Sequence, residues 1–172
     1  MRTQLAQILR KWDGKDTALL EHAYSSFATE PDFAVHLVEL CETEGCERGA
    51  TWLLKHRLEK SGDVLPEQLA TRHVTFAPRF VHWEARLHFL QYFGHLQIPE
   101  NVEHPLEQMI DNGLTSENKF VRAWSHYALA EFALRFPAHR SRAIETLERA
   151  GACETAGSVK VRIRKALEKL KV

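Results

Sequence analysis

The segment NKFVRAWSHYAL, residues 118–129, decides the fold that the sequence predicts. It starts with a polar residue and then places Val121, Ser125, Ala128 and Leu129 at positions i, i+4, i+7 and i+8. That spacing puts the four side chains on one face of an α-helix, and a largely apolar face of this kind indicates a helix that packs on a core.

The same columns of residues occur four times along the chain. The aligned helices start at intervals of 37, 38 and 38 residues, at Cys46, Trp83, Val121 and Val159. Shorter helices are predicted ahead of them, at 32–42, 66–74, 103–112 and 138–149. Helix pairs that repeat about every 40 residues are typical of an α-solenoid, because one pair cannot bury its apolar face alone.

Length and composition agree with an all-α fold. The chain has 172 residues, which suits one domain over residues 1–172, and its 8 Gly and 6 Pro are few for a fold of many strands. Residues 1–29 are predicted to form two N-terminal capping helices, and residues 31–171 the repeats. The strand-like alternation over Arg72–Val81 is isolated, so it is interpreted as a helix end and a connection.

Two segments resemble the second helix of a HEAT repeat. They are Asn118-x-x-Val121-Arg122-x5-Ala128-Leu129 and Ser158-Val159-Lys160-x5-Ala166-Leu167. In the two earlier units, Cys46-Glu47 and Trp83-Glu84 stand in place of the pair formed by Val and a basic residue. The resemblance covers roughly residues 31–171 and implies a right-handed α–α superhelix of about four helix pairs. It also implies that the second helices line the concave surface.

Polar residues of the middle repeats are the candidates for a binding surface. The residues expected on the concave face are Glu84, Arg86, His88, Arg122, Trp124 and His126. Glu84 and Arg122 are expected to pair between repeats. Glu84, His88 and His126 could also supply a site of two histidines and one carboxylate, but Arg122 would repel a cation, so no metal is predicted.

Aromatic residues recur in the repeat columns. Trp52, Phe89 and Tyr127 share a column that borders the core, so they are interpreted as space-filling residues rather than as a platform for ligands. Trp124 is expected on the exposed flank of its helix, either as a binding anchor or as a packed bulky residue.

The net charge of zero conceals a strong asymmetry. Residues 1–118 carry a net charge of −7, and residues 119–172 carry +7. The candidates for binding an anion are Lys160, Arg162, Arg164 and Lys165. The alternative interpretation is the solvated outer face of a terminal repeat.

Cysteine content and hydrophobicity indicate a cytoplasmic protein. Cys41, Cys46 and Cys153 are too few for a secreted disulfide scaffold, so free thiols are expected. The segment Met1–Trp12 has the pattern of an amphipathic helix rather than of a signal peptide. No uncharged apolar stretch is long enough for a membrane span, so no membrane partner is expected.

These features predict a non-enzymatic interaction module that binds a protein or a peptide on its concave face. No catalytic residue, cofactor or metal ligand is assigned. The alternative is a nucleic-acid-binding protein that uses the basic C-terminal repeats. It would be similar to the alkylpurine DNA glycosylases, whose HEAT-like groove holds tryptophans and a catalytic aspartate. The predicted second helices contain no aspartate, so Glu84 would have to take that place.

Overall fold

The computed structural model describes residues 1–62 and 64–171, and within them the chain is all-helical, with ten α-helices, four short 3-10 turns and no β-strand. The α-helices are α1 (Arg2–Lys11), α2 (Thr17–Phe27), α3 (Phe33–Cys41), α4 (Glu47–Ser61), α5 (Glu67–Phe76), α6 (Trp83–Tyr92), α7 (Glu103–Leu114), α8 (Lys119–Arg135), α9 (Arg140–Cys153) and α10 (Gly157–Leu170). This confirms the predicted all-α class and the two helices within residues 1–29. The alternating segment Arg72–Val81 is the end of α5 followed by the 3-10 turn Ala77–Arg79, as predicted.

Local sequence signals fix several helix ends. The Asn118 side chain accepts hydrogen bonds from the backbone N–H groups of Phe120, at 2.9 Å, and Val121, at 3.4 Å, and so caps α8. Asp16 caps α2 in the same way. Helix α4 ends at Gly62, whose φ of +65° lies in the left-handed region that glycine adopts without strain.

The even-numbered helices form the central row of the fold. Helices α4, α6, α8 and α10 pack side by side in that order. Helices α3, α7 and α9 each pack on the even-numbered helix that follows them, and α5 packs on α3 and α7. At the N-terminal end, α1 and α2 pack on α4. The buried apolar side chains form one contiguous core that runs from Leu5 to Leu170. Of the cysteines, Cys41 and Cys46 are free and buried, and Cys153 is exposed.

The buried face of α6 differs from the predicted one. Trp83 was aligned with the core residue Val121, but it is 43% exposed, whereas Ala85 and Phe89 are fully buried. Ala85, Phe89 and Tyr92 follow the i, i+4, i+7 spacing, so Ala85 rather than Trp83 is the residue of α6 that aligns with Val121. The alignment of α6 is therefore shifted by two residues from the predicted one. The shift arises because the Phe89 and Tyr92 rings pack into an aromatic cluster beside α5.

A hydrogen bond at the centre of this aromatic cluster joins α5 to α6. His73 Nε2 lies 2.6 Å from the Tyr92 hydroxyl, and the two rings stack at a centroid distance of 5.9 Å. Both residues are fully buried, and His73 Nδ1 has no hydrogen-bond partner among the described residues. Burial lowers the pKa of His73 to about 3, because the low-dielectric core disfavours the charged imidazolium. The core therefore holds a neutral histidine at physiological pH.

We predict that His73 makes the fold sensitive to acid. In the unfolded chain a histidine titrates near its ordinary pKa, so protonation of the unfolded state favours unfolding as the pH falls from about 6.5 towards 3. The contribution of His73 is complete above that window and is lost within it, at up to about 1.4 kcal/mol per pH unit. His73→Gln should flatten the dependence of the unfolding free energy on pH over this range, measured by urea denaturation at several pH values.

The matched control for this prediction is His22→Gln, which changes an exposed histidine on α2. Its pH dependence should match that of the wild type. Equal slopes for His73→Gln and the wild type between pH 6.5 and 4 would contradict the prediction.

Helices α7 and α8 approach closely at a glycine. A Cβ atom on Gly113 would overlap the hydroxyl of Ser125 and would also lie 3.0 Å from the Ser125 Cβ. Ser125 is fully buried, and its hydroxyl donates a 2.9 Å hydrogen bond to the Val121 carbonyl, so it has little freedom to move. The absence of a side chain at residue 113 therefore sets the distance between the two helices.

We predict that Gly113→Ala destabilises the fold by about 1–3 kcal/mol, because the added methyl group forces α7 away from α8. Thermal and chemical unfolding would measure the loss. Gly157→Ala is the matched control, since a Cβ at that position meets no atom of residues 1–62 or 64–171 within 4 Å. Adding Ser125→Ala to Gly113→Ala should recover part of the loss. Equal stability of the two glycine variants would refute the close-approach argument.

Candidate functional site

A cleft of about 460 Å³ lies between α6, α8 and α10. Helix α4 contributes Glu59 to its lining, and the 3-10 turn Phe93–His95 closes one side. The candidate ligand-binding groups are the aromatic and charged side chains of Trp124, Tyr127, Arg162, Lys169, Glu59 and Glu131. It is the site in the described part of the chain that best combines aromatic and charged groups on the central row of helices.

Two aromatic rings of α8 and a cation of α10 form one wall of the cleft. The Trp124 and Tyr127 rings meet edge to face, with centroids 5.7 Å apart and an interplanar angle of 78°. The guanidinium carbon of Arg162 lies 3.8 Å above the Trp124 ring centroid and 5.7 Å from that of Tyr127. The negative faces of the rings attract this cation and hold it over the tryptophan.

The other charges of the cleft are paired within the protein. Lys169 Nζ lies 2.6 Å from Glu131 Oε1 and 5.5 Å from the Tyr127 ring centroid. The hydrogen bond to Glu131 raises the pKa of Lys169, because it stabilises the charged ammonium group. On the opposite side, Glu59 lies 3.7 Å from Lys55, one helical turn earlier on α4. These pairs neutralise one carboxylate on each side of the cleft.

The predicted ion pair between Glu84 and Arg122 is wrong. Glu84 accepts a 2.8 Å hydrogen bond from Arg48 of α4, and Arg122 instead pairs with Glu154, at 3.1 Å. The pKa of Glu154 falls to about 2, mainly because Ala156 N–H donates a hydrogen bond to its carboxylate and because Arg122 donates another. Glu84 therefore pairs with a residue of α4, and Arg122 pairs with a residue between α9 and α10. The two side chains pair in opposite directions along the row of helices.

Arg86 and Arg122 play the same structural role. Arg86 donates a 2.7 Å hydrogen bond to the Phe80 carbonyl, and Arg122 donates one of 2.8 Å to the Ser116 carbonyl. In both cases the acceptor lies six residues before the arginine, in the connection that leads into the helix. Because Ala85 and Val121 precede these arginines, the contacts agree with the corrected alignment of α6. Both side chains are therefore hydrogen-bonded to the segment that precedes their own helix.

The two predicted concave histidines also have partners within the protein. His88 Nδ1 lies 3.0 Å from the Thr51 hydroxyl, and His126 Nδ1 lies 2.7 Å from the Arg122 carbonyl. Desolvation is the main cause that lowers the pKa of both rings, to about 3 for His88. Within residues 1–62 and 64–171, no group of three or more His, Cys, Asp or Glu side chains is placed to hold a metal ion.

Trp124 is the one residue of the predicted concave set that lines the cleft. It is half-buried rather than on an exposed flank, because Arg162 covers its ring. Of the four anion-binding candidates, one also lines the cleft. Arg162 enters the cleft, whereas Lys160, Arg164 and Lys165 are exposed elsewhere on α10. Arg164 lies 3.7 Å from Glu168 of its own helix.

Sequence reasoning missed Glu59, Glu131 and Lys169, and it interpreted Tyr127 as a space-filling residue. A signal for part of this set was present. Trp124, Tyr127 and Glu131 follow i, i+3, i+7 spacing, and Arg162 and Lys169 are seven residues apart, so each set shares one helix face. No sequence signal relates α4 to α10, because only the packing of the row brings Glu59 towards that face.

Comparison with known proteins found no protein-family model that matches the chain and no curated protein that is significantly similar to it. Within residues 1–62 and 64–171, none of the helices combines the length and the apolar character needed to span a bilayer.

We predict that Arg122 stabilises the fold. Arg122→Gln should lower the unfolding free energy by about 1–3 kcal/mol, because the Ser116 carbonyl and the Glu154 carboxylate both lose a charged donor. A double-mutant cycle with Glu154→Gln should show that the two losses are not additive. Arg164→Gln, at an exposed ion pair of the same kind, should change stability by less than about 0.5 kcal/mol. Additive losses at Arg122 and Glu154 would contradict this role.

Proposed function

We propose that the protein is a non-enzymatic interaction module that binds an extended segment of a partner protein in the cleft between α6, α8 and α10. The observation that carries the proposal is the wall of Trp124, Tyr127 and Arg162. Aromatic and arginine side chains dominate the binding energy of protein interfaces, because they bury a large area and still offer polar contacts.

The proposal includes a right-handed α–α superhelix of about four HEAT-like helix pairs. Three features support it: the unbroken row of α4, α6, α8 and α10, the pairing of α3, α7 and α9 with the next helix, and the equivalent contacts of Arg86 and Arg122. Glu59 of α4 and Lys169 of α10 line the same cleft although two helices lie between them. A flat row of four helices would be about 25–30 Å wide, so this proximity favours a curved row with the cleft on its concave side.

An extended peptide suits a cleft of this kind. The volume lies within the range of about 300–1,000 Å³ that is usual for ligand pockets, so the cleft accommodates a few side chains. A peptide of about ten residues covers about 33 Å when extended, which is enough to cross the row. The proposal also includes a cytoplasmic location, which the free cysteines favour.

Nucleic-acid binding, with a role similar to that of the alkylpurine DNA glycosylases, is the weaker proposal. Trp124, Arg162 and Lys169 are residues that could stack on bases and contact phosphates. However, the two cations of the lining, Arg162 and Lys169, are balanced by two carboxylates, Glu59 and Glu131, so the cleft lacks the net positive charge that favours a phosphate backbone. Glu84, the substitute for the catalytic aspartate, is paired with Arg48 and does not line the cleft.

Selection of peptides of about ten residues from a random displayed library tests the peptide-binding function. The selected peptides should bind with a Kd that fluorescence polarisation can measure, and Trp124→Ala should weaken that binding by at least about tenfold. Trp83→Ala is the matched control, because Trp83 is an exposed tryptophan at the start of α6 that does not line the cleft. It should change the Kd by less than about twofold.

Two results would overturn the peptide proposal. The first is a selection that yields no binding peptide, and the second is equal binding by the Trp124→Ala and Trp83→Ala variants. The same assay with labelled single-stranded and duplex DNA, at about 50 mM salt, examines the alternative. DNA binding that Trp124→Ala abolishes would favour the nucleic-acid function instead.

A further inference from the structure

The charges of the cleft leave one cation without a carboxylate partner. Lys169 is paired with Glu131, and Glu59 lies near Lys55. Among residues 1–62 and 64–171, no carboxylate lies within 4.0 Å of the Arg162 guanidinium, whose close contacts are the rings of Trp124 and Tyr127. The cleft therefore has one positive group that is held in place and makes no ion pair within the described residues.

The position of Arg162 is suited to the recognition of a carboxylate. The Trp124 ring covers one side of the guanidinium, whose carbon lies 3.8 Å above the ring centroid, and a guanidinium carries its N–H donors in a planar fork that matches a carboxylate. A carboxylate accepts two such N–H groups at once, and this bidentate pair is stronger and more directional than a single hydrogen bond. Because the aromatic wall already restricts Arg162, less side-chain entropy is lost on binding.

The surrounding charges limit which anion the cleft accepts. Because Lys169 is already paired with Glu131, Arg162 balances the single negative charge of a carboxylate but not the nearly two negative charges of a phosphate. The aromatic rings beside Arg162 also suit the apolar neighbours of an acidic residue in a peptide. A single carboxylate next to apolar side chains is the ligand chemistry that agrees with both features.

We propose that the cleft recognises a carboxylate of its partner peptide through Arg162, which the rings of Trp124 and Tyr127 hold in position. This inference rests on the peptide-binding function proposed above and specifies its ligand. The carboxylate comes either from an Asp or Glu side chain within the segment or from the C-terminus of the partner. Arg162 is thus a specificity-determining residue of the site.

Peptide libraries in two formats distinguish the two sources of the carboxylate. One library presents random segments of about ten residues between flanking sequences, and the other presents them with a free C-terminus. Enrichment of Asp or Glu at one position in the first library indicates a side-chain carboxylate. Binding only from the second library, lost when the synthetic peptide carries a C-terminal amide, indicates the terminal carboxylate.

Variants of Arg162 test the contact directly. Arg162→Gln should weaken binding of the selected peptide by about 10–100-fold, and replacing the peptide carboxylate by an amide should then cause little further loss. Arg162→Lys keeps the charge without the planar donors and should fall between the wild type and Arg162→Gln. Arg164→Gln, which removes an exposed cation on the same helix, should bind as the wild type does. Circular dichroism confirms that each variant is folded.

The outcomes separate this inference from the function on which it rests. One outcome would overturn the role of Arg162 and leave the peptide-binding function standing. In it, the selected peptides lose affinity with Trp124→Ala, show no preference for acidic residues, and bind the Arg162→Gln and Arg164→Gln variants with equal affinity. Additive effects of Arg162→Gln and of the peptide amide would overturn it as well, because they would show that the two groups do not interact. A selection without any binding peptide would overturn both proposals.

Discussion

The packing of α8 against four other helices, α6, α7, α9 and α10, is the constraint on which the rest of the structure depends. Its buried side chains meet α7 on one side, and α6 and α10 flank it in the central row. The close approach at Gly113 and Ser125 fixes the position of α8 on α7. Because a helix has only a limited circumference, these contacts determine which residues remain to face the cleft, namely Trp124, Tyr127 and Glu131.

Hydrogen bonds from polar side chains hold the connecting segments and helix α5 against this row. Arg86 and Arg122 bind carbonyls of the segments that lead into α6 and α8, so the start of each helix is fixed relative to its own connection. His73 and Tyr92 provide a buried hydrogen bond between α5 and α6 within the aromatic cluster. The polar residues that the sequence marks out in the middle repeats mainly serve the architecture, which explains why few of them are available to a ligand.

The cleft is the product of this division. On α8 and α10, the partly buried side chains at the edge of the core are aromatic and charged, and they meet in the space between the helices. Within the described residues, Lys169 is paired with Glu131, whereas Arg162 contacts aromatic rings and no carboxylate. Trp124 and Tyr127 pack against the core and also hold Arg162 in position, so one aromatic wall serves both the packing and the cleft.

The sequence by itself determined the helical class, the approximate bounds of α3, α5, α7 and α9 and the buried faces of α4, α8 and α10, because helix caps and apolar periodicity are local properties. It also identified Trp124 and Arg162 as residues of interest. Only the tertiary structure decided the register of α6, since its apolar and aromatic residues allow two alignments and the cluster around His73 selects one. It alone decided the partners of Glu84 and Arg122 and the entry of Glu59 and Lys169 into the cleft. These contacts join residues more than 30 positions apart or line a shared space, and their geometry depends on how neighbouring helices stack rather than on spacing along the chain.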